Sequence, residues 1–432
     1  MNKTNLKRGK NDMNNKNMII RECDNMNKAR RVKYGQVSCN EFFNTIQGDL
    51  LITGRLARNS KLMDTLIYSY FNKGDYPTIM LTSNKLVAKK VQNSIPSEYK
   101  KMVITSYSEN CNYMPFYGMS SQQIIKFISH VAEKIGYSGL LGKVMIYATA
   151  ILDIVETQYP LSLPAITKLL EEDDEFISGF AIQVGMSNVV VDNIRANHEA
   201  GIVFRRICEY LESIFSGIYK SGCDSNYSLQ IGVRSNISGM VVYVCSQNQE
   251  LMNLYMKEEL YCILNNVAKI RVILDEMPFA NENDELLKFL MSARLQDRIE
   301  LIFVTQNVEN ILNSISNLDF QNIIMFQHNT MASTDDVSKK VFGTYQYYYP
   351  VPGRSDTPHI FFSIKNSIHW EIHSDEKMRV CCKDLSAKKS IMGYTSDYLA
   401  VKTTFNDNIY LVSTEEFIPQ MQLLTKESEV DT

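Results

Sequence analysis

The 432-residue chain has nine cysteines but no C-x-x-C pair. Its only close pair, Cys381-Cys382, is adjacent, a spacing that rarely closes a relaxed disulfide. A disulfide framework is therefore excluded, and reduced thiols are expected. There is no run of about 18 uncharged apolar residues. The nearest stretch, residues 140–155, contains Lys143 and Asp153 and reads as a buried amphipathic helix. The N-terminus has no apolar core followed by small residues, so a secretory leader is not expected and a cytosolic chain is. No internal repeat is found. The six histidines are scattered. His369 and His373 could share a strand face around Trp370, but with no carboxylate or cysteine at ligand spacing they read as half-buried strand residues. With 45% hydrophobic and 22% charged residues, usage is that of a globular protein, which rules out collagen-like, mucin-like and wholly disordered chains.

What is present is unevenly charged. Residues 1–35 hold ten basic and three acidic side chains, a net charge of +7, which leaves −10 for the rest of a chain whose total is −3. A basic arm on an acidic body can touch the phosphates of DNA or of anionic lipid, and a solvated leader rich in Asn and Lys is the plainer reading.

After this tail the periodicity is that of a parallel α/β unit. Residues 49–53 read as a short buried strand, 54–60 as a polar loop and 61–71 as a helix on the spacing of Leu62, Leu66, Ile67 and Tyr70. Residues 77–81 and 102–105 read as the next strands. From about 120 to 219 the pattern is almost wholly helical, opened by Ser120-Ser121 as N-cap and broken by Pro160 and Pro164. The acidic run Glu171 to Glu175 reads as a solvated helix end. Strands return at 240–244, 271–276, 300–304 and 323–326, with helices at 250–267 and 284–295 between them. Residues 345–415 look mostly β.

The strongest chemical signal is Val272-Ile273-Leu274-Asp275-Glu276. An apolar strand ending in two acids carries both past the carboxyl edge of a parallel sheet, where ligands of such sheets bind. In phosphoryl transfer one acid can hold magnesium and the other can activate water. Downstream, a helix ending in arginines leads into a buried strand that ends in Thr305-Gln306. Gln306 could sense a γ-phosphate or orient water, and Arg298 could reach a neighbouring subunit's phosphates.

This order of elements resembles the FtsK–HerA division of P-loop motors, and within it the type IV secretion and conjugation coupling proteins of the TraG/TraD type. The resemblance runs from about residue 49 to 345. Asn112-Tyr113-Met114-Pro115-Phe116 resembles the short Asn-Pro segment before that family's helical domain, and Phe342-Gly343-Thr344-Tyr345 its late Gly-containing turn. The resemblance implies a RecA-like parallel-sheet P-loop NTPase core interrupted by an inserted all-α domain. The expected division is a basic tail (1–35), a first core part (36–118), the all-α insert (119–224), a second core part (225–345) and a β-rich extension (346–432). Asp275 would hold magnesium, and Glu276, Gln306 and Arg298 would be the catalytic residues. Protein partners in a secretion or DNA-transfer complex, a homo- or hetero-oligomer, and a cytoplasmic place at the inner face of the membrane are implied as well.

Two departures stand against a working motor. A phosphate loop needs G-x-x-x-x-G-K-[ST]. After Gly54-Arg55-Leu56-Ala57-Arg58 this chain has Asn59 in place of the second glycine, Ser60 in place of the lysine and Lys61 in place of the hydroxyl. The lysine charge is displaced by about 100° around a helix. ATP and magnesium are expected to bind weakly or not at all. The membrane anchor usual in such coupling proteins is also not seen. The first reading is a soluble, loop-degenerate coupling-protein homologue that recruits substrate or partner. The alternative is an ATP-driven DNA translocase whose unusual loop uses Arg55, Arg58 or Lys61.

Overall fold

The computed structural model describes residues 32–34, 38–87, 101–104, 113–215, 228–234, 237, 239–279, 284–307, 320–329, 337, 348–350, 360–362, 369–371, 382–384, 398–403 and 406–418. Most of the basic tail, Asn112, Phe342 to Tyr345, His373 and Cys381 lie outside the described residues. The chain divides into two compact units, one drawn from Met1–Leu62 and Thr305–Thr432 and the other from Met63–Val304.

Along the chain, β1 (Val32–Tyr34), α1 (Cys39–Thr45), β2 (Leu50–Thr53), α2 (Ser60–Lys73), β3 (Thr78–Thr82) and β4 (Lys101–Ile104) precede a run of helices. These are α3 (Ser121–Lys134), α4 (Leu141–Gln158), α5 (Leu163–Leu170), α6 (Asp174–Gln183), α7 (Asn188–Ala196), α8 (His198–Ile214) and α9 (Leu229–Arg234). Strands resume with β5 (Gly239–Tyr243), then α10 (Gln249–Asn266), β6 (Ile270–Asp275), α11 (Glu285–Leu295), β7 (Ile299–Thr305) and β8 (Asn322–Met325). Short strands follow, ending in β13 (Tyr398–Thr403), β14 (Asn406–Ser413) and α12 (Thr414–Phe417). The division into units falls inside α2 and inside β7.

The fold is α/β. In the unit Met63–Val304 five strands run in the order β7-β6-β3-β5-β4, every pair parallel. Near-continuous apolar runs explain this: every residue of β3 and β6 is buried, as expected of strands covered on both faces. Gly239 lets a helix lie flush on the sheet, because a Cβ there would sit 2.1 Å from the Phe71 ring. The helical block is inserted between β4 and β5, as the expected architecture requires. The other unit orders its strands β1-β14-β13-β8-β2. There β2–β8 and β14–β1 are parallel, while β13 is antiparallel to both neighbours.

Helix starts follow their side chains. Ser120 and Gln123 form a reciprocal capping box on α3, and Asp284 caps α11 through the N–H groups of Leu286 and Leu287. The acidic run is more engaged than a solvated turn. Asp173 caps α6 through Phe176 N–H at 2.7 Å. The Asp174 carboxylate accepts from Tyr147 at 2.7 Å and Arg205 at 2.9 Å, and lies 2.6 Å from His198 Nδ1. The segment Ser138–Gln158 is long and apolar enough to cross a bilayer. Within its unit α4 contacts α3, α5, α7 and α8, and Tyr147, Ile151 and Ile154 are buried, so it serves as the core of the helical block.

Candidate functional site

The loop after β2 turns on Gly54, whose φ is 103°. A Cβ there would lie 2.3 Å from the Phe326 carbonyl oxygen, so only glycine fits. Four backbone amides of the loop are directed to protein acceptors. Gly54 N–H donates to Thr305 O at 3.3 Å, Arg55 N–H to Gln327 O at 2.7 Å, Ala57 N–H to Gly54 O at 2.9 Å and Asn59 N–H to Leu56 O at 2.9 Å. Asn59 then caps α2: its Oδ1 accepts from Lys61 N–H at 3.0 Å and Leu62 N–H at 3.3 Å. Those are helix N-terminal donors of the kind that hold a phosphate in nucleotide loops. Here a side chain of the chain itself takes them.

Gln306 is brought to this loop. Its Nε2 donates to the Arg55 carbonyl at 3.3 Å. Arg55 and Ser60 are exposed, and Arg58, Asn59 and Lys61 half-buried. At the end of β2, buried His328 places Nε2 3.4 Å from Thr53 Oγ1. His328 carries no motif, and nothing in the sequence singled it out.

The acid pair belongs to the other unit. Asp275 ends β6 fully buried, in register with Thr82 on β3 and Val304 on β7. It therefore stands at the carboxyl edge of the parallel sheet. Thr82 Oγ1 donates to its Oδ2 at 2.6 Å and itself accepts from Asn84 N–H at 2.9 Å. Glu276 is half-buried. It leaves the strand in the left-handed region at φ 49°, a conformation that costs a non-glycine residue about 1–2 kcal/mol. Two contacts over-determine it: Glu276 N–H donates to Val304 O at 3.0 Å, and Ser83 Oγ donates to Glu276 O at 2.9 Å. Thr82, Ser83 and Asn84 are thus the polar support of this edge. They follow the strand read at 77–81, and nothing in the sequence singled them out.

Arg298 is not brought to the acids. It precedes β7, and the Ile270–Ile299 pairing puts it at the amino edge of the sheet, the end opposite Asp275. Its Nε donates to Ala268 O at 2.7 Å, and its Nη2 to Val267 O at 3.1 Å and to Leu264 O. These carbonyls close α10, so the guanidinium caps a helix of its own chain.

A cleft of about 650 Å³ lies in the same unit among α3, α10 and the start of α11. Its lysines are matched by acids: Lys134–Glu250 at 2.5 Å, Lys257–Glu285 at 2.9 Å and Lys126–Glu258 at 3.1 Å. Among the described residues no group of three or more His, Cys, Asp and Glu side chains could hold a metal ion.

No protein-family model and no curated protein matches the chain by sequence. In fold it is similar to solved structures of the bacterial conjugative coupling protein TrwB. The unbound form shares 12% identity at a TM-score of 0.47 over 84% of each chain. TrwB in complex with ADP and magnesium shares 11% at 0.44, again over 84% of each chain. VirB4 of Thermoanaerobacter pseudethanolicus shares 11% at 0.37, over 76% of this chain and 90% of that one.

Proposed function

We propose that this chain is a coupling-protein-like NTPase homologue whose nucleotide loop has been converted into a self-capped turn. It would act in a conjugative DNA-transfer or type IV secretion-like complex by recruiting substrate or partner. The element order supports the ancestry: a parallel sheet interrupted by a helical block, with Asp275-Glu276 at its carboxyl edge. The observation that carries the loss of nucleotide chemistry is the Asn59 cap. A phosphate at α2 would have to displace Asn59 Oδ1 from Lys61 and Leu62 N–H, with Ser60 rather than lysine at the position that would neutralise it. With those donors taken, the loop does not fit a nucleotide.

Recruitment is assigned to the helical block. α6 and α7, joined by a four-residue turn, have helix-turn-helix proportions. Residues 163–197 nevertheless hold six acidic and two basic side chains. DNA binding rests on cationic contacts to phosphate, so this charge favours a protein partner for the block. Contact with DNA or anionic lipid is assigned instead to the basic residues 1–35, and assembly to a homo- or hetero-oligomer.

The experiment is hydrolysis of γ-labelled ATP, with and without DNA, by the wild-type chain and by Glu276→Gln. Neither protein is expected to turn over ATP. Turnover that disappears in Glu276→Gln would establish the alternative, a DNA-translocating motor that meets phosphate with Arg55, Arg58 or Lys61 and holds magnesium on Asp275.

A further inference from the structure

At the root of the helical block lies a buried carboxyl group that no part of the loop or sheet-edge chemistry uses. Glu259, on α10, is 1% exposed. Its Oε2 accepts from the Tyr113 hydroxyl and its Oε1 from Leu229 N–H at 3.2 Å. Tyr113 also meets the Tyr255 hydroxyl at 2.5 Å, and Tyr255 accepts from Phe116 N–H at 3.1 Å. Tyr113 to Phe116 lead the chain into the helical block. Leu229 opens α9, on the way back to the sheet. One carboxyl group on a core helix thus ties together the incoming and the returning chain.

The described surroundings are buried and aromatic. Tyr255 packs edge-on against Phe215, Phe127 and Phe116, with centroids at 4.5, 5.4 and 5.8 Å. Phe116 is held at φ 70°, a left-handed conformation that persists only where its neighbours enforce it. Among the described residues, the groups that bond Glu259 are the phenols of Tyr113 and Tyr255 and the Leu229 amide, none of them a cation. The neighbouring Glu258 is matched by Lys126 of α3 at 3.1 Å and by Lys257 at 3.8 Å. From α9 it is the Leu229 amide that bonds Glu259, and Arg234, at the far end of that helix, is exposed.

We infer that Glu259 is a proton-operated latch: neutral, it holds the root of the helical block closed, and ionised, it drives that root to open and admit water. An ionised carboxylate without a cation is costly in a dry site, whereas any opening that hydrates it removes the cost. Burial pushes its pKa from 4.5 up to about 7, even though Tyr113, Leu229 and Tyr255 stabilise the charged form. In an opened root the group titrates as an ordinary carboxyl. The closed form therefore binds the proton more tightly, and closure weakens as pH rises towards 7. The inference stands apart from the coupling-protein reading, because it needs neither nucleotide nor partner.

The test is amide hydrogen exchange of the full chain between pH 6 and pH 8, corrected for intrinsic exchange. Protection of residues 113–119 and 228–234 should fall about tenfold over that range, while β6 at residues 270–275 stays unchanged. In Glu259→Gln, which keeps the shape without the titration, the fall should vanish. Tyr113→Phe removes a donor to the charged form and should move the transition to higher pH. It decides the matter if Glu259→Gln does not fold. Protection in the wild type that is flat or rises with pH would overturn the latch. So would an equal fall in Glu259→Gln, or an unmoved transition in Tyr113→Phe.

Discussion

Asn59 Oδ1 lies 3.0 Å from the backbone nitrogen of Lys61 and accepts its hydrogen. One amide side chain thereby does for α2 what a bound anion does at the start of a nucleotide-loop helix. Because the cap is intramolecular, it stabilises the fold. Asn59→Ala should lower stability by about 1 kcal/mol, and Asn59→Asp should retain most of it, since aspartate caps as well. Urea unfolding of the three proteins checks this.

Gly54 is the other fixed point of the loop. With φ at 103° and the Phe326 carbonyl 2.3 Å from any added Cβ, Gly54→Ala combines backbone strain with a backbone clash. The loss should exceed that of the cap variant, on the order of 2–4 kcal/mol, and shows as a lower denaturation midpoint with an unchanged m-value.

Arg271 is 1% exposed in the sheet core. It is forked onto Glu300 at 2.8 Å and Asp75 at 3.0 Å. Burial alone would raise the Asp75 pKa, but the hydrogen bonds and charge of Arg271 outweigh it and hold that carboxyl below its ordinary value. A depressed folded-state value gives stability that is present above the unfolded pKa and is lost as pH falls through the folded one. Arg271→Met should therefore flatten the acid limb of the stability profile, and Glu300→Gln should destabilise by about 3–5 kcal/mol by leaving the buried guanidinium short of a partner. Thermal unfolding from pH 7 down to pH 3 measures both.

Arg298 supports α10 from within the chain. Arg298→Ala should cost about 1–2 kcal/mol, through three uncapped carbonyls. Its signature is faster amide exchange at the end of α10, around residues 264–268.

Much of this was legible because periodicity reports burial. The apolar runs at 77–81 and 271–276 read as covered strands, and the structure places them at Thr78–Thr82 and Ile270–Asp275. Ser120 was legible as a helix start, though not its reciprocal partner Gln123. The acids at 275–276 were visible as the end of such a run. What stayed hidden depends on which backbone group a side chain meets. Asn59 is a missing glycine in the sequence and a helix cap in space. Arg298 looks available to another subunit, but its fork is taken up by carbonyls some 30 positions earlier. Glu259 reads as the polar face of a helix, yet α10 is covered nearly all round, and only the fold shows that this carboxyl group meets phenols and an amide there while its neighbour Glu258 meets lysines.

The most direct test of the self-capped loop is calorimetric titration of Mg·ATP into the wild-type chain and into Asn59→Gly/Ser60→Lys/Lys61→Thr, which rebuilds the phosphate-loop pattern after Gly54. No heat of binding is predicted for the wild type at millimolar ATP, and saturable binding is predicted for the rebuilt loop. Saturable binding by the wild type, with Asn59 still in the loop, would contradict the account.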